Sequence, residues 1–379
     1  MQKLLTIIGA RPQIIKAAAI SRAIDNHYKK QIREIILHTG QHYDSNMSEV
    51  FFTELNIPKP DQNLCVGSSL QGKQTAKMIE GIEQSLLDEK PDYILLYGDT
   101  NSTLAGAVAA SKLHIPIAHI EAGLRSFNRK MPEEINRVTC DHLSTLLFSP
   151  TKTGFNNLLH EGFSQHNKSP FTAENPGIFH CGDVMYDNSL YFSEVAAKKS
   201  SILTQYELEK NQYVLVTLHR DHNTDIPENL SSIFKALLSI AENKKIILPL
   251  HPRTKAKLDL GLHKELVNHI EHSENLNIIS PVSFLDMIQL ERHASLIMTD
   301  SGGVQKESYF FNKPCVILRP ETEWVEVLET GKAALTGASY ENITKAFNRL
   351  INTSQKDFPQ IFGDGHAAEF ILKTLVSNK

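Results

Sequence analysis

Short apolar runs alternate with amphipathic stretches along almost the whole chain, in two successive series. In the first series Leu4–Ile8, Glu34–Leu37, Tyr93–Tyr97, Ile117–Ile120 and Leu146–Ser149 read as strands. In the second, Tyr213–Thr217, Lys245–Pro249, Leu276–Ile279, Leu296–Thr299 and Cys315–Leu318 do. Stretches of helical period separate most of them: Gln13–Asn26, Gln74–Asp88, Ser102–Lys112, Glu133–Ser144, Asn229–Ala241, Phe284–Glu291 and Val304–Phe311. Strands that are apolar on both sides need cover on both faces, which helices supply in parallel sheets. The expected fold class is therefore α/β, with two doubly wound, Rossmann-like domains. The polar segment Gln165–Pro176 reads as a loop, followed by a strand at Ile178–Cys181 and a helix-like run at Val184–Lys198. The expected boundaries are 1–185 and 186–365, with a hinge near 182–205. The helical run in 366–379 is expected to cross back to the first domain.

A chain of 379 residues is long enough for two cores. Its net charge of −4 offers no footprint for nucleic acid or an anionic membrane, so any anion site must be local. Cys65, Cys140, Cys181 and Cys315 lie far apart and form no CxxC pair, which fits a reduced compartment. The apolar start Met1–Gly9 is too short for a signal segment, and no stretch reaches membrane-spanning length. A cytoplasmic protein is expected, with neither nucleic acid nor membrane as partner.

In open parallel sheets, ligands lie beyond the carboxyl ends of the strands. The polar residues that follow strands are therefore the candidates. Thr299-Asp300 leads into Ser301, Gly302 and Gly303 and then a helix. Glycines there let a ligand approach the backbone, and the helix N-terminus favours a pyrophosphate. Glu307, four residues past Gly303, is placed to accept hydrogen bonds from ribose hydroxyls. The first strand runs into Gly9-Ala10-Arg11-Pro12, which is not the GxGxxG dinucleotide fingerprint, so no NAD is expected. Arg11 and Lys16 are cations at a helix start, where they oppose the dipole and point to an anionic ligand. Asp99, Glu121 and Glu133 are acids at or just past strand ends. Singly, Asp99 also reads as a helix cap and Glu133 as a dipole partner, with Arg137 one turn on to pair with it. In the second series His219, Arg220, His251 and Arg253 are candidate phosphate donors. His219 and His222 lack a third ligand at suitable spacing, so no metal is expected.

Taken in order, Gly9-Ala10-Arg11-Pro12-Gln13-Ile14-Ile15-Lys16, Gly98-Asp99-Thr100, His119-Ile120-Glu121-Ala122-Gly123-Leu124-Arg125, Met131-Pro132-Glu133-Glu134-Ile135-Asn136-Arg137 and Thr299 to Glu307 resemble the non-hydrolysing UDP-N-acetylglucosamine 2-epimerases. The resemblance implies a GT-B-like fold whose two domains face a cleft. It implies inversion at C2 between UDP-GlcNAc and UDP-ManNAc, for surface polysaccharide precursors, with no cofactor. Asp99, Glu121 and Glu133 stand at the catalytic carboxylate positions, and His219 is counted with them as a catalytic group. The UDP-binding set is expected to be Arg11, Lys16, Arg137, His251, Ser301, Gly302, Gly303 and Glu307. The expected partner is a UDP-sugar, and the expected assembly a homodimer. Thr322-Glu323-Trp324-Val325-Glu326 departs from the common Thr-Glu-Arg-Pro-Glu, and His222 stands where an acid is usual. The Glu-Trp-Val-Glu segment is more similar to a subgroup acting on UDP-2,3-diacetamido-2,3-dideoxyglucuronate. Arg125, Arg129 and Lys130 are candidates to meet the carboxylate of such a sugar.

The chemistry sought fits these residues. A C2 hydrogen beside no carbonyl becomes acidic only as the anomeric bond to UDP breaks, giving a glycal. That needs phosphate donors and more than one carboxylate. A GT-B glycosyltransferase, a hydrolysing epimerase and a non-catalytic nucleotide-sugar sensor are the rival readings.

Overall fold

The computed structural model describes residues 1–40, 58–250, 252–354 and 357–378. The chain divides into two compact units, residues 1–188 with 360–379, and residues 189–359. The first boundary falls inside the helix Val184–Lys199.

In the first unit the strands are β1 (Gln2–Ile8), β2 (Ile32–His38), β3 (Gln62–Asn63), β4 (Tyr93–Tyr97), β5 (Ile117–Ile120), β6 (Leu146–Ser149) and β7 (Gly177–His180). They pair in the order β3-β2-β1-β4-β5-β6-β7, and every pairing is parallel. The helices that matter for the site are α1 (Arg11–Ala23), α2 (Gln71–Glu89), α3 (Asn101–Lys112), α4 (Pro132–Leu143) and α5 (Lys152–His160). Leu5, Ile7, Ile94, Leu96 and Ile117 are fully buried against Met78, Ile82, Ala105 and Ala109. The small residues along α3 let it lie close to the sheet: a Cβ on Gly106 would stand 2.6 Å from Leu96. The helix Ala367–Ser377 belongs to this unit. Asp187 accepts from the N–H groups of Ala367 and Ala368, at 3.2 and 2.8 Å. Tyr93 donates to the Asn378 carbonyl at 2.9 Å.

In the second unit β8 (Tyr213–Thr217), β9 (Lys245–Pro249), β10 (Leu276–Ile279), β11 (Leu296–Thr299), β12 (Cys315–Ile317) and β13 (Ala333–Leu335) form a parallel sheet in the order β10-β9-β8-β11-β12-β13. Helices α6 (Pro227–Ala241), α7 (Phe284–His293) and α8 (Gly302–Phe310) follow β8, β10 and β11. Both sheets are thus doubly wound, as the alternation of apolar runs implied. The short edge strands β3 and β13 were not expected: two or three residues carry too little pattern to show as a strand.

Each strand order reverses once, between β1 and β4 and between β8 and β11. At such a point neighbouring loops diverge to opposite faces and leave a crevice at the carboxyl ends of the strands. Among the described residues no helix is long and apolar enough to cross a membrane.

Ile371 is fully buried on the C-terminal helix. Ile371→Ala is expected to destabilise the first unit by roughly 2–5 kcal/mol, read from urea unfolding. A loss below that range would show the helix to be loosely attached.

Candidate active site

In the first unit the site begins where β1 turns into α1. Gln13, almost fully buried, accepts from the N–H groups of Gly9 and Ala10 at 2.9 and 3.1 Å. It donates to the Tyr97 carbonyl at 2.9 Å and the Thr103 hydroxyl at 3.1 Å. One amide therefore ties the ends of β1 and β4 together across the reversal in strand order. Helix α1 starts at Arg11, two residues earlier than periodicity suggested, because this cap lies ahead of the apolar pattern. Arg11 is exposed there.

Glu121 follows β5 and is almost buried, with an unusual φ of 72° for a residue with a side chain. Its carboxylate forms an ion pair with Lys16. Gly98 leaves the room for that pair: a Cβ there would stand 3.0 Å from Glu121 Oε2 and 3.4 Å from Lys16 Nζ. Lys16, expected to bind phosphate, is thus placed on a catalytic candidate. Asp99 pairs with Arg137 on α4. Burial pushes the Asp99 carboxyl above its usual range, against the pull of Arg137 and Lys16. Arg137 also reaches Glu134 at 3.4 Å, and its buried Nε–H has no partner among the described residues.

The expected pairing of Arg137 with Glu133 is therefore replaced. Glu133 is exposed in the first turn of α4. Its neighbour Glu134 is buried and takes the N–H groups of Ser126 and Phe127, each at 2.9 Å. At helical spacing only one of two consecutive acids faces inward, and sequence could not say which.

Behind these residues lies a charge cluster that sequence reasoning missed. His119 on β5 places Nε2 2.8 Å from the Gly98 carbonyl and Nδ1 2.7 Å from Asp141 Oδ1. Both ring nitrogens face acceptors. Burial works against a charge on the imidazole, but Cys140 and Asp141 beside it outweigh that and hold its pKa well above the ordinary value. Asp141 also accepts from the Gly123 N–H at 3.0 Å and pairs with Arg125 at 2.7 Å. Arg125 Nε is 2.6 Å from Glu161. Arg125 is thus a buried strut, which corrects its expected role toward a sugar carboxylate; Arg129 and Lys130 are exposed. The signal available beforehand was an Asp four residues past Arg137 on a helix, too common to single out.

In the second unit β8 and β11 end side by side, with the Thr217 and Thr299 hydroxyls 2.5 Å apart. Asp300 is fully buried. It accepts from the N–H groups of His219 and Arg220 at 3.1 and 3.0 Å and from the Asn223 amide at 3.1 Å. The His219 ring is half exposed, 3.3 Å from the same carboxylate. His251 lies outside the described residues.

Ser301 caps α8, its hydroxyl 3.5 Å from the Val304 N–H. Gly302 and Gly303 are the first helical residues rather than a preceding loop, and neither has positive φ. Gly302 is the one needed for space, since a Cβ there would lie 2.3 Å from Glu323 Oε1. Glu307 borders this turn, its Oε2 3.9 Å from where a Cβ of Gly303 would lie. Behind it Glu291 is buried, both oxygens without a hydrogen-bond partner among the described residues, and burial, reinforced by Glu307, raises its pKa well above normal. Trp324 donates its indole N–H to the Gly302 carbonyl at 3.0 Å, and the Lys306 ammonium lies 4.3 Å above its ring. Among the described residues no group of three or more His, Cys, Asp or Glu side chains is arranged to hold a metal ion.

A family model described as UDP-N-acetylglucosamine 2-epimerase matches residues 24–376. The chain belongs to this epimerase family. It is 49% identical over 374 residues to a UDP-N-acetylglucosamine 2-epimerase homolog of Methanococcus maripaludis, covering 98% of this chain and 99% of that one. It is 46% identical over 375 residues to the UDP-2,3-diacetamido-2,3-dideoxy-D-glucuronate 2-epimerase of Pseudomonas aeruginosa, again covering 98% and 99%. The crystal structure of Methanocaldococcus jannaschii UDP-GlcNAc 2-epimerase in complex with UDP-GlcNAc and UDP is similar at a TM-score of 0.80 and 42% identity, covering 99% of this chain and all of that one. The family expected from the motifs is the one found. Within this epimerase family the present chain has Trp324 where the resemblance led us to expect a cation, and the indole N–H ties down the glycine turn instead.

Asp141 neutralises two buried cations. Asp141→Asn is expected to cost roughly 3–5 kcal/mol, the scale of breaking a buried pair. Denaturant titration checks it; a change near zero would mean that Glu161 alone suffices for Arg125.

Proposed function

We propose that this chain is a non-hydrolysing UDP-N-acetylglucosamine 2-epimerase. It interconverts UDP-GlcNAc and UDP-ManNAc by eliminating and re-adding UDP. The observation that carries this is two carboxylates, Glu121 and Asp99, each paired with a cation beside the reversal in strand order of a doubly wound sheet.

The chemistry divides between the two sets of residues. The Ser301 turn, His219 and Arg11 stabilise UDP as it leaves. The C1–O electrons pass to the β-phosphate oxygen while a carboxylate takes the C2 proton, and the C2–H electrons form the C1–C2 double bond. A proton then returns to the other face of C2, and UDP adds back at C1. Glu307 accepts hydrogen bonds from the ribose. A carboxyl raised by burial, as Asp99 is, exchanges a proton near neutral pH more readily than an ordinary aspartate. Glu133, exposed on α4, is the third carboxylate of the set, and Arg137, held by Asp99 and Glu134, is the cation of the UDP-binding set nearest to them. His251 completes the expected phosphate donors. The reading carries a cytoplasmic homodimer feeding surface polysaccharide synthesis. Phe127, Met131 and Ile135 are exposed apolar side chains of the first unit that a second copy would cover.

Turnover in deuterium oxide is expected to place deuterium at C2 of both epimers, without accumulation of UDP. Glu121→Gln is expected to lower kcat by about 10²–10⁴-fold, the range for a lost acid–base group. NMR of the C1 and C2 protons reads both. Epimerisation with C2 protium retained would sink the mechanism.

A second reading, the 2,3-diacetamido uronic acid sugar, is favoured by the 46% identical relative and by the Glu-Trp-Val-Glu segment. Arg129 and Lys130 remain as exposed partners for its carboxylate. Neutralising Arg129 is then expected to impair the uronic acid substrate at least about tenfold more than UDP-GlcNAc, the worth of one charged hydrogen bond. Equal loss on both sugars leaves UDP-GlcNAc as the substrate.

A further inference from the structure

The first residue of α8 has a carboxylate pressed against it. A Cβ on Gly302 would lie 2.3 Å from Glu323 Oε1, and Arg319 Nη1 would be 3.7 Å away. Arg319 and Glu323 are paired at 3.0 Å, both partly exposed. The backbone around them is anchored. The Gly337 N–H donates to the Arg319 carbonyl at 3.0 Å. Thr322 donates to Gln305 at 2.5 Å, and its hydroxyl receives the Trp324 N–H at 3.1 Å. The Trp324 indole holds Gly302 from the other side. The segment 319–324 is therefore a collar at the helix start, and the Arg319 and Glu323 side chains beside the turn are left to rearrange.

A helix N-terminus favours an anion, and here the Glu323 carboxylate stands beside it, over Gly302. A phosphate bound at the same turn would meet Glu323 as a like charge in the same space. The two cannot share it. A partly exposed Arg–Glu pair is weakly held and gives way cheaply. A guanidinium prefers a doubly charged phosphate, which it can grip with two N–H groups.

We propose that Glu323 occupies the phosphate seat of the ligand-free chain, and that an incoming nucleoside diphosphate displaces it and takes over Arg319. Arg319 is thus a phosphate-binding residue and Glu323 its resident competitor. The inference rests on the UDP site proposed above and adds what must leave for UDP to enter.

Calorimetric titration of the full chain with UDP tests it, with circular dichroism to confirm folding of each variant. Glu323→Gln keeps size and removes charge, and is expected to tighten UDP roughly three- to tenfold; Arg319→Gln is expected to weaken it about tenfold or more. Glu323→Ala should tighten UDP as well, which separates loss of charge from a new amide contact. Unchanged or weaker binding by both Glu323 variants overturns the proposal, as does native affinity in Arg319→Gln. If the native chain itself fails to bind UDP, the site reading falls and this one with it. Tight native binding with unaltered variants removes this inference alone.

Discussion

Asp300 is sealed from solvent and gathers the N–H groups of His219 and Arg220 and the Asn223 amide. Asp141 does the same in the other unit, taking the Gly123 N–H, His119 and Arg125. A buried carboxylate without donors is costly, so each loop that supplies them has one arrangement in which the charge is satisfied. Those loops carry Glu121 and Gly123 in one unit, His219 and Ser301 in the other. Stability of the loops and position of the candidate site are thus the same interaction, as a preorganised polar site requires.

The first unit holds local strain against this backing. Glu121 keeps a left-handed backbone that costs on the order of 1–3 kcal/mol, and that turn directs its carboxylate to Lys16. Gly123, next but one, has φ 80°, and a Cβ there would lie 2.1 Å from the Gly154 carbonyl. Strain of this kind persists only where the surroundings over-determine it, and the His119–Asp141 cluster does so. Counter-charges then separate the carboxylates chemically. Glu121 has Lys16, while Asp99 shares Arg137 with Glu134 and is raised by burial. Groups held in unlike environments suit a reaction that removes a proton from one face and returns it to another.

Of the two glycines in the nucleotide turn, Gly302 works by its missing volume. Neither has positive φ, and Gly302 is overlaid by the 319–324 collar. Trp324 shows how a departure from a family pattern can be absorbed. The ring that replaces an expected cation holds the turn by its N–H and carries the Lys306 ammonium on its face, so positive charge stays near the turn from another residue.

The sequence alone determined the α/β class, both series of strands apart from the short edge strands β3 and β13, and most residues at the strand ends. Burial on both faces imposes apolar runs, and ligand-approaching turns impose Gly and charged residues, and both marks are local. Its motifs also pointed to the family. What it left undecided was non-local. The order in which strands pair, and so the reversals beside Asp99 and Ser301, depends on which strands meet in space. Choosing Glu134 over Glu133 as the inward acid depends on the rotation of α4. Making Arg125 a strut depends on Asp141 and Glu161, 16 and 36 positions away. A charged residue looks the same in sequence whether it faces a substrate or a buried partner, and only tertiary structure supplies the partner.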